Sequence, residues 1–266
     1  MFVSPAEKTY GQTMAIRAAL ALVAAVTILI MLLAVYTDSS QTIPAWAWAT
    51  VAAIAGATAG LWVTIGKTTL SVHPEGVRYK SVFSEKELLW RDIKETRYKV
   101  TPIQVGMHFG LIGMAIQSYV NRQGGKSSTM SQILKLVGQD GTVIKVTSNT
   151  SNAKEAIASI LGKIVPPMVA DIKKRIQNGE NVEFGMISVS MAGVRWKSKE
   201  PVAFADISRA EIAGAALKIG KHGKWLNYVS VGCHRVPNVI VLLETIKAMT
   251  PLQTIQVLDP LEHVRS

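Results

Sequence analysis

The sequence predicts an α+β membrane protein: an N-terminal two-helix transmembrane hairpin followed by two copies of one strand-rich module, each closed by a C-terminal helix. Two observations carry this prediction. The N-terminal quarter holds two long uncharged segments, and the stretch Ser71–Lys80 returns as Ser188–Lys197 with the shared order Ser-Val, three residues, Gly-Val-Arg, an aromatic residue and Lys. The composition agrees, because 48% of the 266 residues are hydrophobic and only 18% are charged.

The predicted hairpin occupies residues 1–66, with spans over 18–36 and 45–65 that contain no charged residue. Each segment is long enough to cross about 30 Å of hydrocarbon as a helix. The short connection carries Asp38 and no Lys or Arg, whereas Arg17 precedes the first segment. The distribution of basic residues therefore predicts a multi-pass protein of the bacterial inner (plasma) membrane with both termini in the cytoplasm. A signal peptide followed by a core helix is the alternative interpretation.

The net charge of +11 belongs to residues 67–266, because the few charges in residues 1–66 cancel. A basic domain is attracted to anionic lipid headgroups and to nucleic acid. The sequence contains no nucleic-acid-binding motif, so membrane lipids are the predicted partner and nucleic acid is not. Cys233 is the only cysteine, which excludes a disulfide framework.

Module 1 is predicted over residues 67–165. Its strands alternate apolar and polar residues, and a strong Asp140-Gly141 turn joins the last two. The first turn, His73 to Gly76, combines a proline that fixes φ with a glycine that is free to take a positive φ. The predicted elements are strands at 68–72, 77–82, 87–90, 93–100, 133–137 and 143–147, then a helix at 153–163.

Module 2 is predicted over residues 181–250 and repeats this order. Phe204-Ala205-Asp206-Ile207 takes the place of Trp90-Arg91-Asp92-Ile93. A linker helix within residues 166–180 is predicted to connect the modules, and a tail follows at 251–266. The predicted elements are strands at 184–190, 194–199, 216–219 and 225–231, then a helix at 239–249.

The Gly-Val-x-aromatic hairpin, the aromatic-x-Asp-Ile segment and the closing helix resemble the pleckstrin-homology-like (PH-like) domains of bacterial membrane proteins, in an uncharacterised family. The resemblance implies two PH-like β-barrel or β-sandwich modules, in which Trp90 or Phe204 fills the barrel and Asp92 or Asp206 satisfies backbone donors at a corner. The first loops of both copies are short turns, unlike the open, basic loops that hold phosphoinositides in members of that fold. The resemblance therefore does not imply recognition of inositol phosphates.

Module 1 carries an insertion over residues 101–130 that module 2 lacks. Its residues 103–120 contain no formal charge. Three hypotheses apply to it: packing between the modules, an interfacial segment that lies on a bilayer, or, ranked last, a third span. The interfacial hypothesis assigns membrane contact to Phe109, Leu111 and Ile112.

A basic cluster in module 2 is the candidate anion- or lipid-binding site. It contains Lys218, Lys221, His222, Lys224 and Arg235. A Lys-His-Gly-Lys turn can hold a phosphate group. The alternative interpretation is a solvated turn.

The sequence predicts no catalytic residues, no cofactor and no metal. The five histidines have no metal-ligand spacing, and neither a nucleophile elbow nor a phosphate-binding loop is present. The predicted function is that of a non-catalytic, membrane-anchored binding or scaffolding protein, which contacts a protein partner, a peptide or a second copy of itself. Direct recognition of anionic lipid headgroups is the alternative, and an enzyme of unrecognised type is the third hypothesis.

Overall fold

A computed structural model of the chain describes residues 4–11, 21, 24–29, 33, 45–66, 68–102, 130–148 and 150–250. The chain divides into two compact units. Unit 1 comprises Met1–Glu87 with Asn149–Ser151, and unit 2 comprises Leu88–Ser148 with Asn152–Ser266. This division cuts through the predicted module 1 rather than following its boundaries.

Thirteen strands and three helices have defined bounds among the described residues. The strands are β1 (Lys8–Tyr10), β2 (Thr69–Val72), β3 (Gly76–Lys80), β4 (Glu85–Leu89), β5 (Ile93–Pro102), β6 (Met130–Gly138), β7 (Val143–Val146), β8 (Val182–Phe184), β9 (Ile187–Ser190), β10 (Gly193–Trp196), β11 (Ile207–Ala213), β12 (Ala216–Lys221) and β13 (Asn227–Gly232). The helices are α1 (Ala45–Gly66), α2 (Ala153–Gln177) and α3 (Val239–Met249).

The structure corrects the predicted transmembrane hairpin. Within the described ranges, no helix combines the length and the apolar character that a bilayer crossing requires. Helix α1, in the place of the predicted span 45–65, holds eight Ala, three Gly and three Thr among its 22 residues, and such residues contribute far less to membrane insertion than Leu, Ile, Phe or Val. The predicted hairpin, the transmembrane fold class and the multi-pass inner-membrane localisation with cytoplasmic termini are therefore wrong. Most of the other predicted span, 18–36, lies outside the described residues.

Strands β1, β2 and β3 of unit 1 belong to a sheet in the order β1-β2-β3-β4, in which β2 pairs antiparallel with β1 and with β3. The β2–β3 hairpin is the first copy of the sequence repeat, and it pairs Val72 with Val77, both fully buried. The His73 N–H donates to the Gly76 carbonyl at 2.8 Å across the predicted turn. The φ angle of Gly76 is not in the positive range. The expectation that this turn needs glycine for a positive φ is therefore wrong.

Unit 2 contains three antiparallel three-stranded sheets, β5-β6-β7, β8-β9-β10 and β11-β12-β13. Helices α2 and α3 pack against each other, and each also contacts strands. Alternation along the strands directs one set of side chains inward, and the helices add apolar residues at helical spacing. The largest fully buried side chains of this core are Tyr98, Phe184, Leu134, Leu136, Ile144, Ile157, Ile160, Leu161, Ile164, Ile176, Ile187 and Ile207.

Two short 3₁₀ turns occupy matching places in the chain, at Trp90–Asp92 and Phe204–Asp206. Each is followed by an isoleucine whose N–H donates to the carbonyl of the aromatic residue. Each turn also leads into a strand whose pairing is interrupted by a bulge directly after that isoleucine. The repeated aromatic-x-Asp-Ile sequence therefore forms the same 3₁₀ turn and following bulge twice.

Helix α2 is continuous where the sequence predicts two separate helices, 153–163 and a linker helix within 166–180. It runs through Pro166 and Pro167, although a proline inside a helix removes a hydrogen bond and costs about 3 kcal/mol. Buried isoleucines on both sides of the prolines, such as Ile160 and Ile172, hold the two halves against the core. Tertiary packing thus offsets the local penalty.

Several predicted features fall on residues that the structure does not describe. The insertion is described only at its ends, in β5 and β6. Phe109, Leu111 and Ile112 lie outside the described residues, as does the tail 251–266.

Candidate functional site

The candidate site is the end of the β12–β13 hairpin, residues Lys221–Leu226, which we call the hairpin tip. The chain turns back at its start, where the Lys224 N–H donates to the Lys221 carbonyl at 3.2 Å. Trp225 is 88% exposed and Leu226 is 62% exposed. His222 and Lys224 are also exposed. An indole, an isobutyl group and cationic side chains are therefore presented to solvent within six consecutive residues.

Neighbouring elements hold the base of the hairpin tip. The His222 N–H donates to the Asp206 carbonyl at 2.8 Å, and the Lys221 Nζ lies 3.8 Å from the Asp206 carboxylate. On the other strand, the Arg209 guanidinium donates to the Asn227 Oδ1 at 2.6 Å. These bonds restrain both strands at the point where the tip begins.

A second loop, residues 197–200, is tied to the same hairpin by Tyr228. The Tyr228 hydroxyl accepts a hydrogen bond from the Trp196 N–H at 3.0 Å and donates one to the Glu200 carbonyl at 2.6 Å. The Lys199 Nζ lies 5.9 Å from the centre of the Tyr228 ring, and the Lys197 Nζ lies 5.3 Å from that of Trp196. The structure thus places Lys199 beside Tyr228 of the hairpin, and Lys197 against its neighbour Trp196.

The predicted basic cluster is brought together only in part. Lys221, His222 and Lys224 share the hairpin tip, and Lys218 lies further along β12, opposite Glu211 of β11. Arg235 belongs to a 3₁₀ turn that starts where β13 ends, and there the Cys233 N–H donates to the Ala215 carbonyl. Since the six residues of β12 extend over roughly 17 Å, Arg235 lies at the opposite end of the sheet.

The apolar part of the site was not predicted from the sequence. Trp225 was predicted to begin a strand, whereas β13 begins only at Asn227. The available signal was the Trp-Leu pair directly after a Lys-His-Gly-Lys turn, because large apolar residues are unusual in a turn unless they are functional. Lys199 gave no such signal, because only the folded chain brings it to Tyr228 of this hairpin.

The corresponding hairpin of module 1, between β6 and β7, has a different character. The Asp140 carboxylate accepts hydrogen bonds from the Thr142 hydroxyl at 2.7 Å and the Thr142 N–H at 2.9 Å. These bonds hold the pKa of Asp140 below its usual range. This turn is compact and polar and carries no aromatic residue, so the exposed aromatic tip belongs to one copy alone.

Cys233 is a buried ionisable group of unit 2. Burial raises the pKa of the Cys233 thiol to about 11, so this group is protonated near neutral pH and is a poor nucleophile. In the part of the chain that the structure describes, no three His, Cys, Asp or Glu residues are grouped as metal ligands. The geometry at the hairpin tip is suited to binding.

The fold and site describe an α+β protein whose hairpin tip exposes aromatic, aliphatic and basic side chains together. The chain matches the model of a family of unknown function, DUF6585, over residues 5–253, and it belongs to that family. No curated protein matches the chain.

Proposed function

We propose that this chain is a non-catalytic binding protein that docks on an acidic protein partner through the hairpin tip. The observation that carries the proposal is the exposure of Trp225, at 88%, beside His222 and Lys224. Soluble proteins usually bury most of a tryptophan, so an indole held in water on a supported turn indicates a contact surface.

Tryptophan and charged side chains are suited to different parts of an interface. Tryptophan is among the residues that most often dominate the binding energy of protein interfaces, and it does so when a pocket on the partner desolvates it. Cations around such an anchor speed association and select a partner of opposite charge. The hydrogen bonds at the base of the tip support the proposal, because a pre-organised loop loses little entropy on binding.

The charge of the chain argues for a different protein as the partner rather than a second copy. Two copies that meet at the hairpin tip would bring like charges together, and the net charge of each chain is +11. The PH-like resemblance agrees with a binding role, because many members of that superfold serve as recognition modules without catalysis. Assignment of the two modules to the PH-like fold is part of this proposal.

The proposal is tested with the tagged full chain, by comparing proteins that co-purify with the wild type, with Trp225→Ser and with Phe83→Ser. Phe83 is a matched control, because it is an 87% exposed aromatic residue on a turn in unit 1. We expect Trp225→Ser to lose a specific partner by at least about tenfold, as for a truncated hot spot. Phe83→Ser should retain it. Equal recovery by both variants would reject the hairpin tip as the docking surface.

A second candidate function is recognition of anionic lipid headgroups, and the adjacency of Trp225 and Leu226 to Lys224 favours it. Aromatic rings suit the interfacial region of a bilayer, and each nearby Lys contributes on the order of 1 kcal/mol on an anionic surface. Co-sedimentation of the same three proteins with phosphatidylglycerol–phosphatidylcholine vesicles tests it. Tip-dependent binding that is lost in phosphatidylcholine vesicles and at high salt would favour the lipid. Binding that Trp225→Ser leaves unchanged would exclude it.

A further inference from the structure

Helix α1 is an addition to the strand arrangement that the two copies of the repeat share. The second copy, the β9–β10 hairpin, is preceded by β8, which pairs antiparallel with β9 across the two-residue turn 185–186. The first copy, the β2–β3 hairpin, pairs antiparallel with β1 in the same way. However, residues 11–68 lie between β1 and β2, and they include α1. Because the second copy forms this arrangement without a helix, the shared fold does not account for α1.

The surface of α1 differs from that of an ordinary surface helix. Its 22 residues include no charged residue, whereas a surface helix normally carries charged groups on its outer face. Trp48 is 57% exposed and Trp62 is 40% exposed. Five exposed residues of α1 follow one another at alternating intervals of four and three, which is the spacing of a coiled-coil seam. We call them the α1 seam: Trp48, Ala52, Ala55, Ala59 and Trp62.

The distribution of charge favours a second copy of the chain as the partner at this seam. Unit 1 holds six basic and five acidic residues, a net charge of +1, so unit 2 carries +10 of the total of +11. Two chains that meet through α1 bring together uncharged surfaces of a nearly neutral unit, unlike two chains that meet through the hairpin tip. A partner selected by opposite charge, in contrast, finds no charged group on α1.

The spacing and the length of α1 also fit an identical partner. Side chains at a 3.5-residue repeat pack into the holes of a second helix with the same repeat, and a twofold axis gives both copies the same contacts. A helix of 22 residues is about 33 Å long, and covering a third of the circumference of two such helices removes roughly 1,000 Å² from water. This area is near the lower limit for a specific interface, so it fits a weak, reversible dimer.

We propose that the chain forms a homodimer in which the α1 seams of two copies pack against each other as a short two-stranded coiled coil. Burial of the indoles of Trp48 and Trp62 from both copies supplies most of the driving force, because aromatic side chains bury the largest apolar areas. The proposal goes beyond docking of a partner at the hairpin tip and uses none of its residues, so either can fail alone.

Sedimentation equilibrium of the full chain at micromolar concentrations tests the proposal, and we expect the wild type to show a monomer–dimer equilibrium. The decisive variant is Ala55→Glu, which places an unpaired carboxylate at the centre of the seam, where its burial is costly. Its matched control is Ala53→Glu, the same change at an exposed alanine about 200° around the helix from Ala55. Ala55→Glu should weaken dimerisation by at least about tenfold, and Ala53→Glu should leave it unchanged.

Two further variants and the wild type itself keep the test decisive. Trp48→Ala, which adds no charge, should also weaken the dimer, and Trp225→Ser should dimerise like the wild type, which separates the α1 seam from the hairpin tip. Circular dichroism and thermal melting verify that each variant is folded. Equal dimerisation of Ala55→Glu and Ala53→Glu overturns the proposal. A wild type that stays monomeric also overturns it, and is the result expected if another segment of the chain or a different protein covers the seam.

Discussion

The two copies of the repeated arrangement start their closing helices in the same way, but the residues at the two helix starts make different contacts. Both closing helices begin after an asparagine in the left-handed conformation, Asn152 with φ 50° and Asn238 with φ 52°. In each case the asparagine carbonyl accepts the N–H four residues later, which opens the helix. The residue type is the same because asparagine tolerates this backbone conformation better than most residues.

The surroundings of the two asparagines separate the copies. The Asn238 Oδ1 accepts hydrogen bonds from the Thr96 N–H at 2.7 Å and the Thr96 hydroxyl at 3.1 Å, and the Asn238 N–H donates to the Thr96 carbonyl. Asn152 is exposed and its side chain makes no capping hydrogen bond. Both copies share the left-handed asparagine at the helix start, and in the second copy this asparagine also bonds the last helix to strand β5. Residues that repeat therefore identify backbone structure common to both copies, and differences in their surroundings identify contacts made by one copy.

The largest expected effect comes from Gly193, the repeated glycine of module 2. A Cβ at this position would lie 2.0 Å from the Val202 carbonyl oxygen, and the residue has φ +117°. Backbone atoms cannot move aside easily, so we expect Gly193→Ala to lower the free energy of unfolding by about 3–5 kcal/mol. Thermal and urea denaturation of the full chain would measure this loss.

Gly141 is the control for that variant in module 1. It has φ +81°, and a Cβ placed there would have no heavy atom of the described residues within 4 Å beyond its own chain neighbours. Gly141→Ala should therefore cost only the conformational penalty of about 1–2 kcal/mol. Equal losses for the two variants would show that backbone conformation, and not the close approach of Val202, requires Gly193.

The next largest difference in stability is expected between alanine variants of the two asparagines. Asn238→Ala leaves the N–H of Thr96, a residue only 2% exposed, without its acceptor, and we expect it to destabilise unit 2 by about 2–3 kcal/mol. Asn152→Ala should cost about 1 kcal/mol, because only the left-handed backbone is disfavoured. Native-state hydrogen exchange at the Thr96 amide would add a local readout. If that amide stays equally protected in Asn238→Ala, the Asn238 side chain does not hold the last helix against β5.

The sequence was sufficient to predict those parts of the fold that local patterns determine. The structure confirms the predicted turn at Asp140-Gly141 and the helix starts at Ala153 and Val239. It also confirms that the two aromatic-x-Asp-Ile segments occupy matching places. Each depends on residues that are close in the chain, such as an asparagine that can adopt positive φ or a carboxylate that caps its own turn.

Tertiary effects explain most of the differences from the sequence-based predictions. Packing on both sides of Pro166 and Pro167 keeps α2 continuous, although proline ordinarily interrupts a helix. Proximity in the sequence suggested that Arg235 joins the basic cluster, but β13 carries it to the other end of the sheet. The cleft that is lined by residues 90–94, the middle of α2 and strand β8 could not be predicted, because these three segments are distant in the chain.

The smallest expected effect concerns a buried position at which the two copies differ. Tyr98 of β5 pairs with Leu134, and Ile212, at the corresponding place in β11, pairs with Leu217. Tyr98 is 1% exposed, and its hydroxyl has no hydrogen-bond partner among the described residues. We expect Tyr98→Phe to stabilise the protein by up to about 1 kcal/mol, because it removes a buried polar group that gains nothing from folding.

Tyr228→Phe is the matched control, because the Tyr228 hydroxyl bonds both Trp196 and Glu200, and its loss should cost about 1 kcal/mol. The two variants should therefore shift the melting temperature in opposite directions.

The dependence on pH sharpens the same comparison. Burial raises the pKa of Tyr98, so the folded state keeps the phenol protonated at a pH at which the unfolded chain releases the proton. Stability that is present below the unfolded pKa, about 10, is then lost as the pH rises above that value. Wild type and Tyr228→Phe should show this alkaline loss, and Tyr98→Phe should show less of it. An identical alkaline profile for Tyr98→Phe and the wild type would mean that the phenol reaches solvent without unfolding.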